Sequence, residues 1–408
     1  MTTTAGDLET APVPVISSAG EAVAVANDYA SSIAHGAIER DRSGAPPFAE
    51  LAMLDRSGLL GITIPAAHGG ADVSPRTLAE VTRVIAMVDP AIAQVPQAHY
   101  LFVDVLRLWG SEGQRRRLFA DILGGARLGN ALAERGAQHA QDLRTRLQSN
   151  AGETRLNGRK YYCTGALTAR WIAVTALDDD GRLVAAFVPR DASGVSVDED
   201  WTAMGQRATV SGTTDLTDVA VEPSLVLEYW RAFEEPQLIG ARAQLVHAAI
   251  EVGIAGGALR DAGEFVRSKA RPFFEAVRGG WGERAGEDPH TILRFGRLRT
   301  QLTAAEQLLA WAGTTLAEIG PRPGDEHEAA RGSLAVAQAK AFGSETAVLI
   351  ASELFALTGT SGTDDRHDLH RHWRNARTHS VHDPVDWKYH HIGAYALNGT
   401  LPPNHGQL

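Results

Sequence analysis

Apolar residues in the first third of the chain recur at intervals of three and four positions, which is the spacing of one face of an α-helix. The spacing is clearest in FAELAMLDRSGLLGI, PRTLAEVTRVIAMV and HYLFVDVLRLWG. An alanine-rich segment precedes them, and it begins with Ser17 and Ser18, residues of the type that caps helix N-termini. Gly110 is of the type that follows helix C-termini. The pattern predicts a helical region that follows a loose polar tail.

The pattern changes near residue 127, where short β-branched and aromatic runs replace the helical spacing. The runs are RLNGRKYYCTGA, WIAVTALDDDGRLVAAFVP, GVSVDEDW and TDLTDVAVEP, and they are separated by Asn-Gly, Asp-Gly and Gly turns. Such runs indicate antiparallel strands. From about residue 236 three long helical patterns follow, which begin GARAQL, ILRFGR and RGSLAV. Helices of this length usually pack as an up-and-down bundle.

This order predicts a mainly α protein with a central β domain. We expect a flexible tail over residues 1–16, an N-terminal helical domain over 17–126, a middle β domain over 127–235 and a C-terminal helical bundle over 236–408. A chain of 408 residues is long enough to bury a large core. The sequence has no G-x-G-x-x-G after a strand and no P-loop, and the glycines of GIAGG indicate close helix packing.

Composition narrows the possible partners and the compartment. The formal net charge of −10 argues against nucleic acid or an anionic membrane as the main partner. A single cysteine, Cys163, excludes an internal disulfide framework and suits a reducing compartment. The opening residues lack the basic and apolar regions of a signal peptide, and no apolar run approaches the ~20 residues that span a bilayer. We therefore expect a cytoplasmic protein.

Three local patterns resemble motifs of the acyl-CoA dehydrogenase fold. GLLGITIPAAHGG (residues 58–70) is similar to its N-terminal turn motif, and LNGRKYYCTGA (156–166) is similar to the strand pair that lies against the flavin ring. LTGTSGT (357–363) resembles the glycine-rich loop for the phosphate or nucleotide end of the flavin. The resemblance extends over nearly the whole chain. It implies an N-terminal helical domain, a middle antiparallel β domain and a C-terminal four-helix bundle.

The segment HWRNARTHSVHDP falls where many dehydrogenases of this fold carry a catalytic glutamate. The equivalent pair here is His382–Asp383, followed by Pro384. Aspartate is one methylene shorter than glutamate, and a general base must lie within hydrogen-bond reach of the proton that it removes. This departure argues against α,β-dehydrogenation. An FAD-dependent acyl-CoA dehydrogenase with a relocated base stays open, because some members carry the base on another helix.

A closer resemblance is to the flavin monooxygenases of the same fold, dibenzothiophene monooxygenase and the sulfur-acquisition oxidoreductases. It rests on WRNARTHSVHDPV (373–385), DEDWTAMGQRATVSGTTD (198–215) and YYCTGA (161–166). The resemblance implies a two-component enzyme that receives reduced FMN, with FAD possible, from a separate NAD(P)H-dependent flavin reductase. It implies a flavin C4a-hydroperoxide that oxygenates a small substrate at sulfur, or else at nitrogen or aromatic carbon. A catalytically silent scaffold is the alternative from another functional class.

The same resemblance implies the roles of the site residues around the flavin ring. His382 is the candidate for holding or returning a proton, since imidazole titrates near neutral pH, and His99 is similar to a second pocket histidine. Asn130 and Thr164 match positions that hydrogen-bond the flavin or its peroxide. Three residues match positions beside the ring: Tyr162, Cys163 and Trp201. By residue type alone, Cys163 is more often a buried small hydrophobe and Trp201 a core aromatic.

At the phosphate end of the flavin, the resemblance implies roles for Arg271 and for the loop that contains Ser361 and Gly362. Guanidinium binds phosphate through two parallel hydrogen bonds, and in relatives this arginine crosses a subunit interface, which implies a homotetramer. Ser361 stands where dibenzothiophene monooxygenase has an arginine. His379 and His382 are three residues apart, as metal ligands often are, but no second pair of ligands lies nearby, so we expect no metal site.

Overall fold

Helices form both ends of the chain and strands form its middle. The computed structural model describes residues 12–136, 142–150 and 152–406. The α-helices within these ranges are α1 (Ala19–Ile33), α2 (Ala37–Ser43), α3 (Phe48–Asp55), α4 (Pro75–Ala86), α5 (Pro90–Gln94), α6 (Gln97–Trp109), α7 (Glu112–Leu123), α8 (Ile239–Ser268), α9 (Phe274–Arg278), α10 (Pro289–Ile319), α11 (Glu326–Thr358), α12 (His370–Ser380) and α13 (Val385–Asn398). The prediction of a mainly α protein with a central β region is confirmed.

The start of the chain shows how local chemistry sets a helix boundary. The hydroxyl of Ser18 accepts a hydrogen bond from the backbone N–H of Glu21, so Ser18 is the N-cap of α1. Helix α6 ends at Trp109, next to the predicted stop at Gly110. Residues 1–11 of the predicted tail lie outside the described residues, while Ile16 is 3% exposed and packs in the core.

The strands form one mixed sheet. They are β1 (Leu128–Ala131), β2 (Arg146–Asn150), β3 (Glu153–Cys163), β4 (Trp171–Leu177), β5 (Leu183–Pro189), β6 (Val195–Val197), β7 (Gly212–Ala220) and β8 (Val226–Leu227). Their order is β6-β7-β3-β2-β4-β5-β8, and β1 pairs with β4. Most strand pairs are antiparallel, as expected, but both β1 and β2 run parallel to β4. The β2–β3 hairpin lies between β1 and β4 in sequence and provides the crossover that parallel pairing needs.

The sequence predicts turns at both the Asn-Gly and the Asp-Gly dipeptides, and only the second forms one. Asp180-Gly181 forms the turn between β4 and β5, and Gly181 has φ +76°. Asn157-Gly158, in contrast, lies inside β3, where the pairing with β7 shifts register between Leu156 and Gly158. A Cβ on Gly158 would lie 2.3 Å from the hydroxyl oxygen of Thr145. The glycine there permits close approach at a β-bulge, so the turn prediction is wrong for this pair.

The long C-terminal helices pack against each other and against the N-terminal helices. Helix α8 is buried along most of its length between α4 and α11. The GIAGG glycines lie at the crossing with α4: a Cβ on Gly257 would lie 2.4 Å from the carbonyl oxygen of Met87. The predicted reason for these glycines, close helix packing, is therefore confirmed. Among the described residues, α11 is apolar and long enough to cross a membrane, but 56% of its most apolar window is buried, as in a core helix.

Candidate active site

A bulge at the end of β3 turns the chain so that neighbouring side chains face different surroundings. The pairing with β7 shifts register between Lys160 and Cys163, and Tyr162 has φ +58°, a left-handed conformation that tyrosine rarely adopts. As a result Tyr162 is 49% exposed, while Cys163 is fully buried. The ring of Trp201 lies 6.1 Å from the Tyr162 ring at 87°, so the two rings form an open aromatic corner.

Thr164, two residues further on, begins a chain of hydroxyl groups. Its Oγ1 lies 2.7 Å from the Oγ of Ser211, which donates to the Oγ1 of Thr209 at 2.8 Å. Thr209 in turn donates to the backbone carbonyl of Gln206 at 2.9 Å. The indole N–H of Trp201 donates to the same carbonyl at 2.8 Å. The hydroxyl chain and the Trp201 indole therefore meet at the carbonyl of Gln206. This shared acceptor fixes the position of the Trp201 ring relative to Thr164.

The loop that supplies these groups has an unusual backbone. Gln206 and Val210 have φ +54° and +45°, and for a β-branched valine such a conformation is a clear outlier. Strained backbone of this kind concentrates at functional sites. Gln206 is 3% exposed, and neither polar atom of its side chain has a hydrogen-bond partner within the described residues. The amide is therefore a buried group with unused donors and acceptors beside the corner.

Asn130 reaches the same region from β1. Its backbone N–H donates to the carbonyl of Thr164 at 3.2 Å, while its side chain is partly exposed. His99, expected in the pocket, is instead fully buried behind this strand: its Nδ1 accepts from the N–H of Leu128 and its Nε2 contacts the carbonyl of Leu60 at 2.9 Å. These contacts fix the neutral tautomer with the hydrogen on Nε2, and burial lowers the pKa of His99 to about 4. His99 supports β1 from the core and has no free nitrogen for a proton-transfer role.

Helix α12 lies between the loop that carries Gln206 and a second group of candidate residues around His382. The side-chain oxygen of Asn375 accepts from the backbone N–H of Gln206 at 2.5 Å, and Arg374 donates to the carbonyl of Met204. His379 follows Asn375 by four residues, so both lie on the same face of α12. The helix ends at Ser380, which leaves His382 on the turn that follows it. The hydrogen bonds of Asn375 and Arg374 therefore attach α12 to the loop that carries Gln206.

His382 and Asp383 lie side by side on this turn but differ in exposure. The imidazole of His382 is 53% exposed, whereas the carboxylate of Asp383 is 10% exposed. The carboxylate pairs with the ammonium of Lys388 at 2.9 Å, and its Oδ1 lies 3.5 Å from the Nδ1 of His382. Burial opposes the charge on Asp383, but the contact with His382 and the two lysine charges nearby lower its pKa below the ordinary value.

A fully buried group of polar side chains lies beneath His382. The ring of His247 lies 4.3 Å from the His382 ring, and its Nδ1 is 3.1 Å from the Nε2 of His379. The Nδ1 of His379 lies 2.9 Å from Glu251, whose carboxylate also accepts from Lys340 at 2.5 Å. Burial lowers the pKa of both His247 and His379, so both rings are neutral at neutral pH. Sequence reasoning gave His247, Glu251 and Lys340 no role.

The candidates for the phosphate end lie apart from the aromatic corner, on the helical region. Arg271 is exposed just beyond the end of α8, and no ion pair joins it to another described residue. Ser361 is exposed and Gly362 buried in a short 3₁₀ turn, Thr360–Thr363. These two segments approach each other, since Lys269 contacts His367 at 3.5 Å. The contacts within one chain leave both segments open at the surface.

Two further expectations concern Cys163 and metal binding. Burial raises the pKa of the Cys163 thiol to about 12, which leaves it protonated and inert. Its side chain lies in the strand core, so only its backbone is available to a cofactor. Among residues 12–136, 142–150 and 152–406, no three His, Cys, Asp or Glu side chains are arranged to hold a metal ion. The ring nitrogens of His379 are taken up by Glu251, Gln94 and His247.

Comparison with known proteins gives consistent matches over nearly the whole chain. Three acyl-CoA dehydrogenase family models match: the N-terminal domain over residues 23–126, the middle domain over 130–219 and the C-terminal domain over 245–387. The chain is 35% identical over 396 residues to dibenzothiophene monooxygenase of Rhodococcus erythropolis, covering 93% of this chain and 94% of the relative. It is 33% identical to the probable FMNH2-dependent monooxygenase SfnC of Pseudomonas putida, covering 95% and 98%. The FMN-bound crystal structure of TdsC from Paenibacillus sp. A11-2 superposes with a TM-score of 0.89 at 30% identity, covering 95% and 100%.

Proposed function

The chain belongs to the acyl-CoA dehydrogenase family, and from this premise we propose that it oxygenates a small organosulfur compound with O2 and reduced FMN. The enzyme is a flavin-dependent monooxygenase, and its cofactor is FMN. The resemblance to dibenzothiophene monooxygenase and to the sulfur-acquisition branch extends over nearly the full length of the chain. Sulfur is the atom that we propose as the site of oxygenation.

One observation favours oxygenation over dehydrogenation of an acyl thioester. Asp383, the carboxylate at the position of the dehydrogenase base, is buried and paired with Lys388 at 2.9 Å, whereas the imidazole of His382 beside it is exposed. A carboxylate held by a buried ammonium is a poor base, because its pKa is low and its oxygens are engaged. An imidazole can hold or release a proton near neutral pH. The arrangement therefore suits proton delivery to an oxygen species.

The residues around the aromatic corner fit a flavin ring. Tyr162 and Trp201 offer two apolar faces at nearly a right angle, and Thr164 lies beside them with its hydroxyl held by Ser211. Asn130 offers a partly exposed amide at the same place, where it can bond polar atoms of the ring. Arg271, Ser361 and Gly362 are our candidates for the phosphate end. Reduced FMN, when bound, supplies the two electrons that activate O2 for transfer of one oxygen atom.

The protein's own contribution is to position groups, exclude water and manage a proton. We assign the proton to His382 and a hydrogen bond near the reacting oxygen to Thr164 and Asn130, while Tyr162 and Trp201 keep solvent from the ring. Exclusion of water matters because it limits loss of the activated oxygen as free peroxide. His99 has no part in this set, since both of its ring nitrogens are bonded within the core.

Two partners follow from this function. An enzyme that consumes reduced FMN needs a separate flavin reductase that uses NAD(P)H. We also propose a homotetramer in which Arg271 serves the flavin site of a neighbouring subunit. Large exposed apolar side chains follow this arginine closely, and they include Phe273, Phe274, Trp281, Ile292 and Leu293. Patches of this kind mark interaction surfaces. A cytoplasmic location stays a prediction.

The test combines the purified chain with FMN, a flavin reductase, NADH, air and a panel of thioethers, sulfoxides and sulfinates. Catalase is added to remove free peroxide. We expect oxygenated product well above the level without the chain, and a His382→Gln variant that binds FMN but forms product about 100-fold more slowly. His390→Gln, an exposed histidine on α13, is the matched control and should stay active. Product no greater than that made by reduced FMN alone would refute the proposal.

A further inference from the structure

A buried carboxylate oxygen lies behind the exposed imidazole of His382 without a hydrogen bond of its own. The Oδ1 of Asp383 has no hydrogen-bond partner within the described residues, yet it lies 3.5 Å from the Nδ1 of His382. The other oxygen, Oδ2, lies 2.9 Å from the ammonium of Lys388, and the ammonium of Lys340 is 4.0 Å from Oδ1. An unbonded buried carboxylate oxygen is costly, so a donor within reach should close on it.

We propose that Asp383 is the positioning residue of His382: its Oδ1 takes the hydrogen of Nδ1 and leaves Nε2 as the nitrogen that exchanges a proton with the reacting group. The use of that proton rests on the proposed function, whereas the pairing itself does not. A carboxylate can only accept a hydrogen bond, so the nitrogen that faces it must carry the hydrogen. A neutral imidazole has one N–H, and its other nitrogen is then a free acceptor. This is the arrangement by which an acidic residue sets the tautomer of a catalytic histidine.

The surrounding charges keep Asp383 ionised and in place. Lys340 lies between two carboxylates, at 2.5 Å from Glu251 and 4.0 Å from Asp383, and it is fully buried. With Lys388, two carboxylates and two ammonium ions balance within the described part of this group while its imidazoles are uncharged. A neutral buried group avoids the large cost of an uncompensated charge. Removal of any one of these charges should therefore change the electrostatic potential at the imidazole of His382.

The buried imidazoles beneath His382 are uncharged, and they act by restricting the position of its ring. The ring of His247 lies 4.3 Å from the ring of His382 at an angle of 38°, so it limits the tilt of that ring. Burial and the neighbouring cationic groups hold the pKa of His247 well below its ordinary value, and His379 is neutral for a similar reason. The titratable groups that face His382 from the helices around it are Asp383, Lys388, Lys340, Glu251, His247 and His379.

The inference predicts shifts of opposite sign in the pKa of His382. Asp383→Asn removes a negative charge from beside the imidazolium, so the protonated form of His382 should be less stable than in the wild type. Lys388→Met removes a positive charge from the same group, so the pKa of His382 should rise. A loss of packing alone has no reason to change sign between the two variants. Asp386→Asn, an exposed carboxylate in the first turn of α13, is the matched control and should produce no shift.

The measurement is hydrogen–deuterium exchange at the imidazole Cε1 of His382 as a function of pH, followed by mass spectrometry of fragments, on the full chain without flavin. Opposite shifts in Asp383→Asn and Lys388→Met support the inference, and Asp383→Glu should restore most of the wild-type pKa. If Lys388→Met does not fold, a shift in Asp383→Asn that is restored in Asp383→Glu supports the inference, and a shift that is equal in the two overturns it. An unchanged pKa of His382, or shifts of the same sign, would overturn it.

Turnover of the same variants separates this inference from the function on which it draws. With FMN and reductase, Asp383→Asn should lower kcat about tenfold or more and move the acidic limb of the pH profile in the direction of the pKa shift. In one outcome, the two variants shift the pH dependence of exchange at His382 in opposite directions while the wild type shows no turnover. That result would refute the proposed function and support the pairing of Asp383 with His382. Wild-type turnover whose pH profile is the same in Asp383→Asn would remove the inference and leave the function intact.

Discussion

Thr164 carries a hydroxyl that can donate one hydrogen bond and accept others, and the folded chain uses only part of this capacity. Ser211 lies 2.7 Å from it and is itself bonded to Thr209, so the orientation of the hydroxyl is set before any ligand arrives. Because Ser211 gives its hydrogen to Thr209, the hydrogen of Thr164 goes to Ser211, and the lone pairs of Thr164 are left as a preoriented acceptor for a ligand donor. The role that we propose for Thr164 rests on this fixed orientation.

Thr164→Val should therefore lower product formation about tenfold or more, because it removes the hydroxyl but keeps the shape of the side chain. Reduced FMN should still be oxidised by O2, with more peroxide released for each product molecule. Thr164→Ser keeps the hydroxyl and should keep most of the activity. The ratio of peroxide to product, measured with and without catalase, checks the prediction, and an unchanged ratio in Thr164→Val would contradict it.

His99 gives a prediction on stability and pH. Its pKa is lowered from 6.5 to about 4, so between these values the unfolded chain binds a proton that the folded chain does not. Stability is therefore intact above pH 6.5 and falls as the pH drops toward 4, by about 2 kcal/mol for this residue at pH ~5. His247, His372 and His379 act in the same direction. His99→Gln offers the same donor and acceptor without titrating, so urea unfolding between pH 4 and 7 should show about one proton fewer taken up.

Residue roles were the part that the sequence determined least. The family resemblance, together with residue type, selected His382 and Thr164, which lie on the turn after α12 and in the hydroxyl chain. The same reasoning selected His99, which lies in the core, because a histidine in an amphipathic helix gives no sign of which way its ring is bonded. Glu251 and Lys340 were missed since they are 89 residues apart and sit alone among apolar neighbours.

At the scale of elements, apolar periodicity predicted the helices and strands well because it is a local property of the chain. The three long C-terminal helices are present and begin one, three and five residues before their patterns, and the β4–β5 hairpin turns at Asp180-Gly181. Two features depended on partners far away in sequence. The bulge at Asn157-Gly158 is set by contact with Thr145, and the parallel pairing of β1 follows from the position of β4.

The crossing of α8 and α4 allows a direct test of one such contact. Gly257→Ala would place its Cβ 2.4 Å from the backbone oxygen of Met87, so we expect a loss of stability of about 1–3 kcal/mol. Gly296→Ala, on the exposed face of α10, has nothing within 4 Å and should stabilise by about 0.5–1 kcal/mol. Chemical denaturation of both variants checks the pair, and a destabilisation equal in the two would contradict the packing explanation.

At the scale of the whole molecule, the proposed site has three parts. They are the aromatic corner on the sheet, the turn after α12 and a surface that carries Arg271. The corner and His382 belong to one chain, while Arg271 is exposed at the edge of a segment in which Phe273 and Trp281 are 58% and 64% exposed. An arginine at such an edge is well placed to reach a neighbouring subunit. The domain boundaries and the oligomeric state stay predictions of the sequence.

Light scattering of the purified chain tests the assembly. We expect the mass of four chains, and we expect Phe273→Glu with Phe274→Glu to reduce it, because buried unpaired carboxylates oppose association. The same variant should bind FMN more weakly if Arg271 completes the site across subunits. Ile38→Glu, at a similarly apolar but isolated position on α2, is the control. A wild-type chain that is monomeric at micromolar concentration would contradict the proposal.

The proposed function requires that an oxygen atom of O2 is transferred to the substrate within this site. A single-turnover experiment addresses it directly: the chain, FMN reduced without oxygen and a thioether are mixed with ¹⁸O2 in the presence of catalase, and the product is analysed by mass spectrometry. We predict a sulfoxide that carries one ¹⁸O atom, in an amount that approaches the enzyme present. A product without the label, or none above the reaction that lacks the chain, would contradict the account.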